Sequence, residues 1–153
     1  MNIPQFFEWD ENKRQANIEK HRIDFADLEG IFSNPFIQRI DNHIDYGETR
    51  IILLGQLDGV ILYIVYTWRR DVCQFISARR ANQRERKNIT RVSREQWANM
   101  KGETDWDKIK GMTDEEIEKN ALDDPDSQPI PDEMWEDTQV VFPQQNTAVN
   151  LSI

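Results

Sequence analysis

A single cysteine, Cys73, excludes an intramolecular disulfide, and two histidines, His21 and His43, are too few to build the Cys/His cluster of a structural zinc site. The Asp/Glu clusters at 114–118 and 123–126 lack EF-hand spacing, so no metal is expected. No apolar run approaches the roughly 18 residues of a spanning helix. Met1-Asn2-Ile3-Pro4 lacks the charged-then-apolar order of a signal peptide. The expectation is a soluble, cytoplasmic protein with no membrane partner. Positive charge is the other scarcity: 19 Lys/Arg against 28 Asp/Glu leave a net charge of −9. That deficit argues against a nucleic-acid ligand, because phosphate binding draws on cationic side chains that release counterions. The excess is segregated, however. Residues 1–87 hold 13 residues of each sign, whereas residues 88–153 hold 6 basic and 15 acidic ones. The first half keeps basic clusters at Lys13-Arg14, Lys20 to Arg22, Arg69-Arg70, Arg79-Arg80 and Arg84 to Lys87.

The first half reads as an α+β fold. Gln5 to Trp9 is aromatic-rich and fits a strand, and Asp10 can cap a helix running to about His21. Lys13, Asn17, Lys20 and His21 then share one helix face. Asp24 can cap a second helix with the apolar set Phe25, Leu28, Ile31 and Phe32, ended by Asn34-Pro35. Four strands follow, near Ile37–Asp41, Arg50–Gln56, Val60–Thr67 and Val72–Ser77, with Asp58-Gly59 as a strong hairpin signal. Ala81 to Lys87 is charged, free of breakers, and reads as a short helix.

From Asn88 the composition shifts. Ser93 with Gln96, and Thr113 with Glu116, have capping-box spacing and predict short helices. Few apolar residues lie between Gly102, Gly111, Asp124-Pro125 and Pro129 to Pro131, so this half cannot make its own core and should anchor on the first. Its acidic clusters fit a polyanion laid against a basic cleft, although a solvated helix face would serve as well.

The run Phe7-Glu8-Trp9-Asp10-Glu11-Asn12-Lys13, continuing to Lys20-His21, and the run Phe75 to Ala81 followed by Glu85-Arg86 resemble the two signatures of BrnT-type toxins, small ribonucleases of the RelE-like superfamily. The resemblance covers roughly residues 5–87. Thr104-Asp105-Trp106, Met112 to Ile117 and the acidic stretch through Trp135 resemble the toxin-neutralising region of a BrnA-type antitoxin. These resemblances imply a toxin domain at 1–87 and a neutralising arm at 88–147. Ala148 to Ile153 resembles the first strand of a ribbon-helix-helix module, truncated, so specific DNA binding is not expected. The implied fold is a RelE-like antiparallel sheet of three to four strands with packed helices, plus an extended, partly helical arm. The implied function is that of a toxin-antitoxin protein: a metal-independent, cofactor-free endoribonuclease that cleaves mRNA and blocks translation, held inactive by its fused antitoxin segment. The arm could dock in cis or from a second copy in a homodimer. The alternative is a non-catalytic toxin fold serving antitoxin binding and assembly.

Cutting RNA without a metal requires a group to take the 2′-OH proton, cations to neutralise the transition state and an acid for the leaving 5′-oxygen. The candidate catalytic residues are Lys13, Lys20, His21, Arg79 and Arg80. Among them His21 alone has an unperturbed pKa, about 6.5, suited to proton transfer near neutrality. It could equally cap its helix. Arginine stays protonated, so Arg79 and Arg80 suit phosphate clamping. Adjacent strand residues point to opposite faces, so one arginine should reach the cleft while the other packs or pairs elsewhere, for example with Glu85. Asn17, Arg69, Ser77, Arg84 and Arg86 are the expected RNA contacts, and Trp97, Trp106, Ile117 and Trp135 the expected anchors of the arm. Lys13 and Lys20 could be ordinary surface lysines, His43 sits in a polar loop, and Cys73 reads as a small buried hydrophobe.

Overall fold

Asp10 stands where a strand turns into a helix. The computed structural model, which describes residues 3–41, 47–89, 106–131, 135 and 138–141, has its carboxylate accepting the Lys13 N–H at 3.1 Å. β1 (Phe6–Trp9) precedes it and α1 (Glu11–His21) follows, closed by Arg22 in the left-handed region at φ 65°. Asp24 caps the next segment through the Ala26 N–H, but the expected second helix is two 3-10 turns, Phe25–Asp27 and Glu29–Ser33. Gly30 weakens helix propensity in the middle of that window, and Pro35 closes it before a full helix can propagate. The apolar set packs as expected all the same: Phe25, Leu28, Ile31 and Phe32 are buried.

β2 (Phe36–Asp41), β3 (Arg50–Leu57), β4 (Val60–Arg69) and β5 (Val72–Arg80) form an antiparallel run. Asp58 and Gly59, at φ 51° and 80°, make the β3–β4 turn, with the two positive φ values that a type I′ hairpin requires. After α2 (Gln83–Ile89) come α3 (Trp106–Lys110), α4 (Asp114–Leu122) and β6 (Gln139–Val141). The Thr113–Glu116 capping box at the start of α4 is complete.

Among the described residues the sheet has six strands, in the order β1-β5-β4-β3-β2-β6, which corrects the expectation of three to four antiparallel ones. β1 pairs in parallel with β5, Phe6 opposite Val72 and Trp9 opposite Phe75, while β6 closes the far edge against β2. Both additions come from distant parts of the chain, and such pairing leaves no local pattern. Among the described residues no helix is long and apolar enough to cross a membrane.

Each face of the sheet carries a core. On the first, the 3-10 residues pack on Leu53, Leu62, Ile64 and Phe75, joined by the fully buried Ile109 from α3. On the second, Ile37, Ile52, Leu54, Tyr63, Val65 and Ile76 are covered by Ile130 and Trp135. The acidic half therefore contributes side chains to both cores, as its lack of a core of its own requires. A β-bulge sets the phase of β5: Tyr66 pairs with Phe75 but Val65 with Ser77, leaving Ile76 as the extra residue. Ser77 and Arg79 are thereby registered with Val65 and Tyr63, toward the second face.

Candidate active site

Asn17 fixes α1 to β5. Its Nδ2 donates to the carbonyls of Ile23 (3.0 Å) and Ala78 (2.8 Å), and its Oδ1 accepts the Ala78 N–H at 3.0 Å and lies 3.5 Å from the Ser77 hydroxyl oxygen. Its amide is thus committed to the protein itself, so Asn17 positions the site instead of presenting a group to a ligand. One turn along, His21 is set beside Ser77.

Both residues reach Asp124 of the acidic half. Nε2 of His21 lies 2.6 Å from Asp124 Oδ2, the same oxygen accepts the Ser77 hydroxyl at 3.2 Å, and Oδ1 accepts the Asp126 N–H at 2.9 Å. Burial pushes the His21 pKa below its ordinary value, and Asp124 offsets this only in part. Near neutrality His21 is therefore a neutral imidazole donating Nε2–H to a carboxylate. Burial pushes the Asp124 carboxyl up, but the hydrogen bonds from His21, the Asp126 backbone and Ser77 outweigh it and hold the group below the usual carboxylate range.

The neighbouring cations meet the same short segment. Lys13 Nζ is 2.8 Å from Asp126 Oδ2, Arg50 Nη1 is 3.0 Å from Asp126 Oδ1, and Lys20 Nζ donates to the Asp123 carbonyl at 3.2 Å. Arg79 is buried, its guanidinium 3.8 Å above the Tyr63 ring, and pairs in bidentate fashion with Glu85 at 2.7 and 2.8 Å. Burial opposes that charge, and Glu85 overrides it, so the Arg79 pKa is raised. Nε of Arg79 donates to the Ser127 carbonyl at 2.9 Å, and the Tyr63 hydroxyl to the Gln128 carbonyl at 2.9 Å. Residues 123–128 thus lay carboxylate and carbonyl acceptors along Lys20, His21, Ser77, Lys13, Arg50, Arg79 and Tyr63. A gap of about 80 Å³ remains, lined by Lys13, Lys20, Ser77, Asp124 and Asp126 among others.

The other expected residues are more dispersed. Arg80 pairs across the sheet with Leu62 and its Nη1 donates to the Ile109 carbonyl, so the two arginines separate as strand alternation requires. Burial, then the nearby Arg86, lowers the Arg80 pKa. Arg86 donates to Asp114 at 2.7 Å, and Arg84 is exposed on α2. Arg69 is exposed beside Glu48, 3.6 Å away, at the opposite end of the β4–β5 pair. Glu48 also takes Arg50 Nε at 3.2 Å on its other oxygen, so Arg69 stands one carboxylate away from Arg50, at that end of the cleft. Of the anchors, Ile117 and Trp135 are buried and Trp106 packs on the first core; Trp97, with His43, Ser93, Gln96 and residues 148–153, lies outside the described residues. Arg50 and Tyr63 were not legible as site residues: a strand-opening arginine and a core tyrosine carry no local signal. Among the described residues no group of three metal-ligating side chains is assembled.

The family model described as the ribonuclease toxin BrnT of type II toxin-antitoxin systems matches residues 9–85. The chain belongs to the BrnT family. No curated protein matches it. The BrnT match takes in α1, the whole β2–β5 run and Glu85, and it ends before the segment whose acceptors line the cleft.

Proposed function

We propose that residues 1–87 are a RelE-like endoribonuclease of a toxin-antitoxin system, and that residues 88–147 are an antitoxin-type arm that holds it inactive by occupying its RNA cleft. One observation carries this reading: four residues of one short segment, Asp123, Asp124, Asp126 and Ser127, place acceptors on Lys13, Lys20, His21, Ser77 and Arg79, where an RNA backbone would place its own. With the arm displaced, His21 takes or returns the proton that moves between the ribose 2′-OH and the 5′-oxygen. The 2′-oxygen attacks phosphorus, the P–O5′ bond breaks, and a 2′,3′-cyclic phosphate and a 5′-OH result. Lys20 neutralises the charge developing on the phosphorane, a contribution that commonly reaches 10²- to 10³-fold per donor, and Lys13 holds the backbone beside it. Arg79 supports the same site through Nε, its other face being held by Glu85.

A second reading has one observation in its favour. Arg79, the arginine of the second signature that reaches the cleft, is neutralised by Glu85 within its own domain, which suits a non-catalytic toxin fold kept for binding and assembly.

Growth separates the two. Induced in bacterial cells at equal abundance, an Asp124→Ala, Asp126→Ala chain should arrest growth and protein synthesis where the parent chain does not, and adding His21→Gln should restore growth. A double variant that stays harmless overturns the ribonuclease reading and leaves the assembly module.

A further inference from the structure

We infer that Lys13 and Arg50 form a phosphate-binding subsite of their own, beside the His21–Ser77 centre, that takes the backbone phosphate next to the one being cleaved. The inference deepens the ribonuclease reading above and rests on it for the identity of the ligand.

The geometry starts from Asp126. Its two oxygens are divided between two cations from separate elements, Oδ2 on Lys13 Nζ of α1 at 2.8 Å and Oδ1 on Arg50 Nη1 of β3 at 3.0 Å. Asp124 is held by a different pair, His21 and Ser77, both on its Oδ2. Two acidic residues one residue apart therefore fill two adjacent anion positions whose protein partners do not overlap. Their Cα atoms are at most roughly 7 Å apart, of the order of one nucleotide step along a single strand. An isolated ion pair at a surface does not need two cations converging on one carboxylate. A phosphate does, because its charge is spread over several oxygens that accept from more than one donor.

Arg50 is shaped for that task. Its side chain is only 11% exposed, and Nε points to Glu48 Oε2 at 3.2 Å, which fixes the plane of the guanidinium while Nη1 faces the cleft. Lys13, 43% exposed, supplies a mobile charge from the other wall. The residual gap runs past Lys13, Ser77 and Lys20, so the Lys13 side of the subsite opens into the space beside the centre. Lys13 thus acts in substrate placement through a partner, Arg50, that lies outside the two sequence signatures.

Removing the Asp126 side chain should leave a vacancy that a small anion fills. The experiment compares the full chain with Asp126→Ala, titrating inorganic phosphate at ionic strength balanced with sodium chloride and reading the melting temperature. Asp126→Ala should show a saturable rise of a few degrees that the parent chain lacks, since a ligand bound only by the folded state raises Tm. Asp126→Ala, Arg50→Gln and Asp126→Ala, Lys13→Gln should each lose most of that rise, and Asp126→Ala, Arg50→Lys should keep part of it. The Lys13 variant, on a half-exposed helix position, serves if the Arg50 changes impair folding. A phosphate response in Asp126→Ala no greater than in the parent, or one that survives both cation variants, overturns the subsite. The readout needs no RNA cleavage: an inert chain that gains phosphate binding removes only the ribonuclease reading, and an active one without it removes only the subsite.

Discussion

The Asp124 carboxylate lies 2.6 Å from Nε2 of His21, 103 residues earlier in the chain, and accepts the Ser77 hydroxyl on the same oxygen. Burial disfavours the imidazolium and the hydrogen bonds on Asp124 favour its carboxylate, so the shifted pKa values favour neutral imidazole with ionised carboxylate. The contact joins the family-matched region to the acidic arm at the most chemically competent residue of the cleft. Asp124→Ala should therefore destabilise the chain by about 1–3 kcal/mol, the usual cost of stranding a buried hydrogen-bonding group. Urea unfolding of the parent and the variant checks this. An unchanged midpoint would mean that the contact does not form in solution.

Acidification should destabilise the fold at the same place, because burial penalises the imidazolium. The His21 pKa is lowered in the folded chain, so below about pH 6.5 the unfolded chain binds a proton that the folded one resists. The stabilisation is complete above about pH 6.5 and is lost as pH falls toward the lowered value. Asp124, also lowered, adds a further loss near and below about pH 4. The melting temperature should drop between pH 7 and pH 5, and His21→Gln should flatten that part of the profile. A parent profile that is flat over this range would contradict the assignment.

Glu85→Ala should be among the most damaging single changes. It leaves the Arg79 guanidinium buried without its bidentate partner, and both side chains are only 2% exposed. Breaking a buried pair from one side typically costs 3–5 kcal/mol. Asp114→Ala, which removes the partly exposed partner of Arg86, should cost about 0–1 kcal/mol. Denaturant midpoints of the two variants compare them directly, and equal losses would place Arg79 in solvent.

Trp135→Ala should uncover the second face of the sheet. The ring is 4% exposed and meets Tyr63 edge-on at 6.3 Å, above Ile37, Leu54 and Val65. Truncation of a buried aromatic of this size costs about 3–5 kcal/mol. An environment-sensitive dye should bind the variant and not the parent. A variant as stable as the parent and equally inert to dye would show that Ile130 alone covers the face.

Local chemistry made much of this structure readable. Asp10, Thr113 with Glu116, and Asp58-Gly59 each act within a few residues, and all three do what their side chains and backbone preferences dictate. The shared face of Lys13, Asn17, Lys20 and His21 follows from helix spacing, and its contacts converge on one cleft. What stayed hidden depends on distant partners. Alternation from Phe75 would have put Arg79 on the first face, and only the bulge at Ile76 turns it toward Tyr63. Arg50 becomes a site residue because Asp126 arrives from 76 residues away. Arg69 looked like an RNA contact by charge alone, and only Glu48, which pairs with both arginines, links it to Arg50. The acidic run at 123–126 was recognisable as a polyanion, but not which carboxylate meets which cation.

The central claim is that the arm silences a working ribonuclease by filling its cleft, and single-turnover cleavage of one labelled single-stranded RNA tests it most directly. Three purified chains are compared: the parent, Asp124→Ala, Asp126→Ala, and that double variant carrying His21→Gln. Cleavage should be at or near background for the parent and at least 10²-fold faster for the double variant, with products ending in a 2′,3′-cyclic phosphate. The His21 change should then return the rate most of the way to background, by the 10²- to 10³-fold expected of a lost catalytic group. Equal rates for parent and double variant, or a rate indifferent to His21, would contradict the account.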